Sequence, residues 1–235
     1  MLYIAHRGAS HYAPENTAAA FGLALEMGAK AVELDVHLSS DGVLVVHHDY
    51  DLKRTAGVDV KIGEHGFAEL KKHNIAAHFS GWKGVEHVLS LEQALEILGP
   101  DIMLNVEIKN DGGIYRGMEK EVLRVCAARG ERTIFSSFDH DTLRRLRELD
   151  SCAHIGVLVN GMDFDSAFSA AAGLKAESLN FSLRKLTPEV THLAKDAGLH
   201  TLIYTVNTAS EAARAKECGA CGVFTNRPDL EKEAA

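Results

Sequence analysis

The sequence predicts an α/β protein that folds as a closed (β/α)8 barrel, and three observations lead to this prediction. Short apolar runs alternate with helical segments along most of the chain, which is typical of a parallel sheet. Eight such units fit into 235 residues, a length that favours a closed barrel over an open sheet. Hydrophobic residues make up 46% of the chain and charged residues 25%, so one large domain with a sizeable core can form.

Eight runs of apolar or alternating residues predict the strands of the barrel. They cover Leu2–Ala5, Ala31–His37, Ile102–Ile108, Thr133–Ser136, His154–Val159, Glu177–Phe181, Thr201–Val206 and Gly222–Thr225. Each run is followed by a helix or a short helical tail, so the main strands are expected to run parallel to one another.

Helices are predicted between these strands, and glycine or proline marks several of their ends. The first helix opens at Pro14 and runs to about Met27, where Gly28 ends it. Another has Pro188 in its first turn and ends at Gly198. The remaining predicted helices cover Leu91–Leu98, Gly117–Ala128, Asp141–Leu149, Asp165–Ala172 and Ser210–Cys218.

The pattern loosens between about residues 49 and 90. A turn at Ser39–Gly42 first returns the chain as a short extended run, Val43–His47. The following stretch is rich in glycine and histidine, and only Phe67–His73 has a helical pattern. We interpret residues 49–90 as a small insertion after the second strand, carried by a single domain that spans residues 1–235.

Charge and composition exclude several classes of partner. The formal net charge of −8 argues against non-specific binding to nucleic acid or to an anionic membrane surface. Neither a signal peptide nor a run of membrane-spanning length is visible, so we expect a cytoplasmic protein without stable membrane association. The four cysteines are too few for a disulfide framework, and we expect them to be buried and reduced.

Two carboxylates dominate the second predicted strand. Glu33 and Asp35 are two residues apart, so both leave the strand on the same side. Like charges at this spacing repel and need a partner, and a hard divalent cation such as Ca²⁺ or Mg²⁺ takes oxygen ligands. A strand with one solvent-exposed face is the alternative that this pair leaves open.

Other polar residues also fall at the carboxyl ends of the predicted strands, where barrels of this kind place their chemistry. Glu107 and Lys109 close the third strand and share one of its faces. Three carboxylates from two neighbouring strands would form an oxygen cage for one divalent cation. A structural ion pair between Glu107 and Lys109 is the alternative interpretation.

The first strand ends in His6-Arg7, which adds a base and a fixed positive charge. A metal ion with Arg7 and Lys109 would suit a phosphate anion. Hydrolysis of a phosphodiester needs one group to deprotonate the nucleophile and one to protonate the leaving alkoxide, and histidine suits both near neutral pH. His6 and either His47 or His48 are the candidates, although a hydrogen-bonded structural histidine is an alternative at each position.

These motifs together resemble the glycerophosphodiester phosphodiesterase family over nearly the whole chain. The residues that carry the resemblance are His6-Arg7-Gly8, Pro14-Glu15-Asn16-Thr17, Glu33-Leu34-Asp35, Val46-His47-His48-Asp49 through Arg54-Thr55, Val106-Glu107-Ile108-Lys109, Ser136-Ser137-Phe138 and Tyr204-Thr205-Val206-Asn207. Near the C-terminus, Asn226 stands where aspartate is common in the family.

The resemblance implies a TIM barrel with an insertion after the second strand, and it implies roles for nine residues. Glu33, Asp35 and Glu107 would bind one Ca²⁺ or Mg²⁺ ion, and Arg7 and Lys109 would hold the phosphate. The family pattern places the second histidine directly before an aspartate, so His6 and His48 would be the acid–base pair. Glu15, with Asn16 beside it, would support the metal site or His6 from behind.

The implied reaction is hydrolysis of a glycerophosphodiester to sn-glycerol 3-phosphate and an alcohol. Two alternatives stay open: cleavage of lysolipids by a related phosphodiesterase, and a barrel that binds phosphate without catalysis. A zinc hydrolase is disfavoured because no close histidine pair lies at a strand end. The nucleophile, the choice between Ca²⁺ and Mg²⁺, the assignment of acid and base, and association into homo-oligomers are open.

Overall fold

The computed structural model describes residues 1–233, and in this part of the chain eight parallel strands close into a barrel. The ring strands are β1 (Leu2–His6), β2 (Ala31–Leu38), β5 (Met103–Ile108), β6 (Thr133–Ser137), β7 (His154–Val159), β8 (Ser178–Ser182), β9 (His200–Tyr204) and β10 (Gly222–Thr225), and two short antiparallel strands, β3 (Leu44–Val46) and β4 (Leu89–Ser90), lie outside the ring. β1 lies between β2 and β10, which closes the ring. The predicted (β/α)8 barrel is confirmed.

Most of the helices pack around the barrel and cover its strands, and the two short ones between residues 53 and 70 belong to the stretch that follows β3. The helices are α1 (Ala18–Glu26), α2 (Lys53–Ala56), α3 (Phe67–Leu70), α4 (Leu91–Leu98), α5 (Met118–Cys126), α6 (His140–Leu149), α7 (Phe164–Leu174), α8 (Pro188–Asp196), α9 (Ala209–Glu217) and α10 (Leu230–Glu233). One large apolar core lies between the strands and these helices. None of the helices in residues 1–233 has both the length and the apolar character needed to cross a membrane.

The first helix begins at Ala18, four residues later than predicted. Residues 14–17 form a turn instead, in which the Thr17 hydroxyl donates to the Pro14 carbonyl oxygen over 2.6 Å. Thr17 Oγ1 also accepts from the Ala20 backbone amide, so it caps the helix. This turn brings the side chains of Glu15 and Asn16 towards the end of β2, as the contacts below show.

The register of the central strands aligns the acidic residues. Glu33 on β2 lies opposite Asn105 on β5, and Asp35 lies opposite Glu107. β1 pairs with β2 only as far as His6 and Glu33, and β3 then pairs with the far end of β2 in the antiparallel sense. The carboxyl end of β2 therefore carries neighbours from β1, β3 and β5.

Residues 49–90 lie outside the barrel ring. The stretch contains α2, α3 and β4, and a small core joins Leu52, Ile62, Leu70, Ile75 and Val88 to Val45 of β3. The predicted helix over Phe67–His73 is shorter than expected, because only Phe67–Leu70 is helical. β4 has two residues and pairs with β3, so this hairpin links the start of the stretch to its end.

The cysteines do not all occupy the core. Cys126 is buried, Cys218 is partly buried, and Cys152 and Cys221 are exposed. All four are free thiols. The expectation of four buried cysteines is therefore wrong, because Cys152 and Cys221 fall in connections just before β7 and β10 rather than on a core-facing strand or helix.

Candidate active site

A cavity of about 180 Å³ lies at the carboxyl ends of the barrel strands. Its lining includes His6, Arg7, Glu33, His48, Asn105, Glu107, Lys109, Ser136, Phe138, Leu158 and Tyr204. A larger cavity of about 650 Å³ occupies the opposite mouth, where apolar residues such as Leu2 and Leu202 line it. We place the chemistry in the smaller cavity because charged and titratable groups converge there, at the end where barrel enzymes act.

The three acidic residues predicted as metal ligands come together at this cavity. Glu33, Asp35 and Glu107 are buried, and one carboxylate oxygen of each lies within 4.8 Å of the others. The Arg7 backbone amide donates to Glu33 Oε2 over 2.9 Å, whereas the buried Glu33 Oε1 has no hydrogen-bond partner among residues 1–233. A buried oxygen without a donor is costly, and a hard divalent cation would satisfy it. The donor set therefore fits Ca²⁺ or Mg²⁺.

Two cations flank the central carboxylate. Lys109 Nζ lies 3.0 Å from Asp35 Oδ1 and also contacts Glu107. Arg7 Nε lies 3.2 Å from Asp35 Oδ2, and Arg7 Nη1 donates to Glu15 Oε1 over 3.0 Å. Asp35 thus holds one cation on each of its oxygens, and both cationic side chains are fixed before any anion binds.

The acidic cluster does not ionise uniformly. Burial raises the pKa of Glu33 well above its usual value, and the neighbouring charges of Asp35 and Glu107 raise it further. Burial likewise raises the pKa of Glu107 to about 7, against the attraction of Lys109. Burial opposes ionisation of Asp35 as well, but Lys109 and Arg7 outweigh it and hold the pKa of Asp35 low. A cation that enters the cluster would compete with protons held by the two glutamates.

His6 faces this cluster from the end of β1. Its Nδ1 lies 2.7 Å from Asn226 Oδ1, and because an amide oxygen only accepts, Nδ1 is the donor. Nε2 lies 3.9 Å from Glu33 Oε2. Burial, followed by the charge of Arg7, lowers the pKa of His6 to about 4, so the ring is neutral near pH 7.

His48 lines the cavity from the connection that follows β3. Its Nδ1 lies 2.6 Å from Asp49 Oδ1, and burial lowers the pKa of the ring. His47 faces the other way, with Nε2 3.0 Å from Thr55 Oγ1 within the inserted stretch. The two adjacent histidines thus point to opposite sides, and only His48 belongs to the cavity lining.

Arg54 holds the support of His48 in place. Arg54 Nε donates to Asp49 Oδ2 over 2.6 Å, and its terminal nitrogens donate to both oxygens of Glu15. Glu15 therefore joins Arg7 to Arg54, which links the phosphate-binding candidate to the aspartate behind His48. Glu15, predicted to support the metal site or His6, contacts these two arginines instead.

Asn16 contacts the metal-ligand candidate directly. Its side-chain amide donates to Asp35 Oδ2 over 2.8 Å, and its backbone amide donates to the Arg7 carbonyl oxygen over 3.0 Å. Arg7 and Asn16 both have φ of +57°, in the left-handed region that non-glycine residues seldom occupy. Such strain is found where the surrounding structure imposes it, and here it aims both side chains at Asp35.

Several residues that line the cavity or contact its lining were not predicted as site residues. Asn226, the partner of His6, follows directly after β10, so the rule of searching strand ends could have found it. Phe138 and Tyr204 form an edge-to-face aromatic pair with ring centroids 6.2 Å apart. The Tyr204 hydroxyl donates to the Val159 carbonyl oxygen over 2.8 Å, so its proton is held by the backbone.

The sequence matches one family model and several known proteins. Residues 6–230 match the sequence model of the glycerophosphoryl diester phosphodiesterase family. A glycerophosphodiester phosphodiesterase of Caldanaerobacter subterraneus is 32% identical over 231 residues, which cover 97% of this chain and 95% of that protein. The Bacillus altitudinis glycerophosphodiester phosphodiesterase is 31% identical over 232 residues, covering 96% and 94%.

Solved structures agree with the sequence relatives. The crystal structure of a glycerophosphodiester phosphodiesterase from Thermotoga maritima superimposes with a TM-score of 0.84 at 29% identity, covering 100% of this chain and 98% of that one. An Oleispira antarctica phosphodiesterase, solved in complex with the product sn-glycerol-3-phosphate, gives a TM-score of 0.88 at 28% identity, covering 100% and 96%.

Proposed function

The chain belongs to the glycerophosphoryl diester phosphodiesterase family, and from that premise we propose that it hydrolyses small glycerophosphodiesters to sn-glycerol 3-phosphate and an alcohol by metal-dependent acid–base catalysis. The single observation that carries the proposal is the convergence of three buried carboxylates, two cations and two histidines on one cavity. We further propose that residues 1–235 act as one catalytic domain with its insertion at about residues 49–90.

We assign one divalent cation, Ca²⁺ or Mg²⁺, to Glu33, Asp35 and Glu107. The burial of the three carboxylates and the unsatisfied Glu33 Oε1 support this assignment. When bound, such a cation supplies positive charge that stabilises the phosphoryl oxygens in the transition state. Asn16 would keep Asp35 oriented through its hydrogen bond to Oδ2.

Arg7 and Lys109 would bind the non-bridging phosphoryl oxygens. Both side chains line the cavity, and their ion pairs with Asp35 hold them in position before substrate arrives. Donors fixed in advance need little reorganisation when negative charge develops on the phosphoryl group, which is the main source of their catalytic effect.

His6 and His48 would carry the two proton transfers. One would deprotonate the nucleophile with its free Nε2, and the other, once its Nε2 has taken up a proton, would transfer that proton to the departing alkoxide. His6 presents Nε2 to the cavity because Nδ1 is held by Asn226. His48 presents its Nε2 because Nδ1 is held by Asp49. Each ring thus keeps one nitrogen for the reaction and uses the other for orientation.

The experiment that tests this function measures release of glycerol 3-phosphate from glycerophosphocholine. The wild-type protein is assayed as purified, with EDTA, and after Ca²⁺ or Mg²⁺ is restored. We expect turnover that EDTA abolishes and one of the two ions recovers. The Glu33→Gln variant should lose turnover, whereas Glu64→Gln, which alters an exposed acid of the insertion, should keep it.

Other outcomes would point to the alternatives. Turnover of lysophosphatidylcholine with none of glycerophosphocholine would replace the small substrate by a lysolipid. Binding of glycerol 3-phosphate without turnover of any phosphodiester under either ion would leave a phosphate-binding barrel and overturn the proposed reaction. Turnover that resists EDTA and survives in Glu33→Gln would overturn the metal assignment alone.

A further inference from the structure

A third histidine lies close to the active site, and the proposed reaction does not use it. His37 is fully buried on β2 and leaves the strand on the same side as Glu33 and Asp35. Its Nε2 lies 3.1 Å from the backbone carbonyl oxygen of His48, and its Nδ1 lies 3.2 Å from the hydroxyl oxygen of Tyr115. The ring therefore connects the backbone of the His48 loop to a tyrosine of a distant segment.

The hydrogen bonds select one form of the ring. A carbonyl oxygen only accepts, so Nε2 carries the proton and donates to His48. Nδ1 is then the lone-pair nitrogen and accepts from the Tyr115 hydroxyl. A single neutral tautomer satisfies both partners, which is the arrangement expected for a fully buried imidazole.

Aromatic neighbours leave the ring little freedom to move. His37 meets Tyr50 edge-on at a centroid distance of 4.7 Å and Tyr115 edge-on at 5.8 Å. Tyr50 and Tyr115 stack against each other at 6.2 Å. We call these three residues the aromatic box. Close packing of this kind means that a shift of His37 would require both tyrosines to shift as well.

The box is also tied to the strand end that carries Lys109. The Tyr115 backbone amide donates to Asn110 Oδ1 over 2.7 Å, and Asn110 Nδ2 donates back to the Tyr115 carbonyl oxygen over 3.1 Å. Asn110 directly follows Lys109. Asn110 therefore holds the backbone of Tyr115, the Tyr115 hydroxyl holds His37, and His37 holds the backbone of His48.

We propose that His37, held by Tyr115, is a positioning residue that fixes the distance between His48 and Lys109. The inference rests on the proposed function, because it assigns His37 an effect only through the catalytic role of His48. The peptide carbonyl of His48 is the atom that is held, so the anchor acts on the backbone from which the reacting imidazole projects. Loss of the anchor should misplace that imidazole without removing any group that binds the substrate.

The first test compares variants of the box by kcat and KM on glycerophosphocholine. His37→Phe keeps an aromatic ring and loses both hydrogen bonds. We expect kcat to fall about 10- to 100-fold with KM unchanged, since small displacements of a reacting group have effects of this size. The separate variant His37→Gln should keep most of the wild-type kcat, because a glutamine side chain can donate to the His48 carbonyl oxygen and accept from the Tyr115 hydroxyl. Tyr115→Phe should show a smaller fall in kcat.

Tyr50→Phe is the matched control. It removes a hydroxyl that accepts from the Asp111 backbone amide, whereas the hydrogen bonds of His37 go to His48 and Tyr115, so kcat should stay at the wild-type value. Thermal melts of all four variants show which of them are folded. If kcat falls as much in Tyr50→Phe as in His37→Phe, the aromatic box acts only through packing, and the proposal is overturned.

A double-mutant cycle then asks whether His37 acts through His48. If it does, His37→Phe should reduce kcat no further once His48 is replaced by alanine, whereas independent effects would multiply. Multiplicative losses would overturn the inference while leaving the proposed function intact. An inactive wild type would overturn the proposed function instead. In that case a crystal structure of His37→Phe still tests the anchor, which predicts a displaced His48 backbone.

Discussion

At the scale of single residues, Asp35 is the group on which the site depends most. Arg7 and Lys109 each pair with one of its oxygens, and Asn16 donates to it as well. The Asp35 carboxylate is fully buried, so water cannot take its place as a partner of Arg7, Lys109 and Asn16. Removal of this one charge should therefore affect the proposed metal ligands and the proposed phosphate-binding cations together.

Asp35→Asn tests this dependence with a substitution of equal size. We expect kcat/KM to fall by about 10²- to 10³-fold, because two cations lose the charge that orients them. The free energy of unfolding should fall by about 3 kcal/mol, since a buried cation that loses its partner is strongly destabilising. Activity assays and urea titrations measure the two effects. Asp59→Asn, at an exposed position, is the control and should change neither.

His37 should make stability depend on pH in a defined direction. Burial lowers its folded-state pKa to about 3 from an ordinary value of 6.5. Above pH 6.5 the ring is neutral in both states and has no effect. As the pH falls below 6.5, the unfolded chain gains a proton that the folded protein does not take up until about pH 3, so the folded state loses stability.

The difference between wild type and His37→Phe isolates this contribution from that of the other buried acids and histidines. Between about pH 6 and pH 4, the wild type should lose about 1.4 kcal/mol per pH unit relative to the variant. Urea titrations in EDTA at several pH values give both free energies of unfolding. A difference that stays constant across this range would mean that His37 is protonated in the fold, contrary to the tautomer assigned above.

At the scale of elements, the turn between β1 and α1 sets the position of Arg7. Gly8 follows Arg7 with φ of +80°, and a Cβ at this position would lie 2.7 Å from the backbone carbon and oxygen of Ala20. The backbone of the turn thus touches the backbone of α1. The second Cα hydrogen that Gly8 has in place of a side chain is what allows Arg7 to reach Asp35 while the helix stays close.

Gly8→Ala should therefore be destabilising by about 2 kcal/mol or more, through an unfavourable φ and a contact with backbone that cannot rotate away. Gly22→Ala is the control, because Gly22 lies in α1, the helix that Gly8 contacts. A Cβ at Gly22 meets nothing within 4 Å, so alanine should stabilise the protein by about 0.5–1 kcal/mol. Urea titrations of the two variants should shift the midpoint in opposite directions. Equal shifts would show that the contact at Ala20 is relieved by small movements.

Elements with a strong local pattern were predictable, and those defined by a distant partner were not. The eight barrel strands follow from their own apolar or alternating residues. β4 has only two residues and exists because it pairs with β3, so no local signal marks it. The late start of α1 has a similar cause, since residues 14–17 are held by contacts of Thr17 and Asn16 rather than by helical propensity.

At the scale of the whole molecule, the insertion is joined to the barrel at both of its ends. β3 pairs with β2, β4 pairs with β3, and Ser90 caps α4 on the barrel surface. The small core of the insertion includes Val45 of β3. A segment attached in this way should unfold together with the barrel.

Trp82 makes this expectation measurable, because it is the only tryptophan in the chain and lies in the insertion. Tryptophan fluorescence therefore reports on the insertion, whereas far-ultraviolet circular dichroism reports mainly on the barrel. We expect the two urea transitions to coincide within error. A fluorescence transition at lower urea would identify the insertion as a separately unfolding unit.

The residues that meet at the cavity could be predicted from the sequence, but the contacts among them could not. Strand-end position and side-chain alternation indicate Glu33, Asp35, Glu107 and Lys109. His6 and Asn226 are 220 positions apart, and no pattern in either segment predicts that their side chains form a hydrogen bond. The contacts of Glu15 with Arg7 and Arg54 likewise arise only when the inserted stretch folds against the first turn.

The pairing of Asp35 with two cations has a consequence for what leaves the site. Fully ionised, the three acids with Arg7 and Lys109 carry a net charge of one negative, which a divalent cation would change to one positive. A phosphodiester is a monoanion and would make the occupied cavity neutral. The monoester product is a dianion above its second pKa of about 6, so the positive cavity attracts it more strongly than it attracts the monoanionic substrate. Hydrolysis itself should therefore strengthen retention of glycerol 3-phosphate, so that the product competes with substrate better above pH 6 than below it.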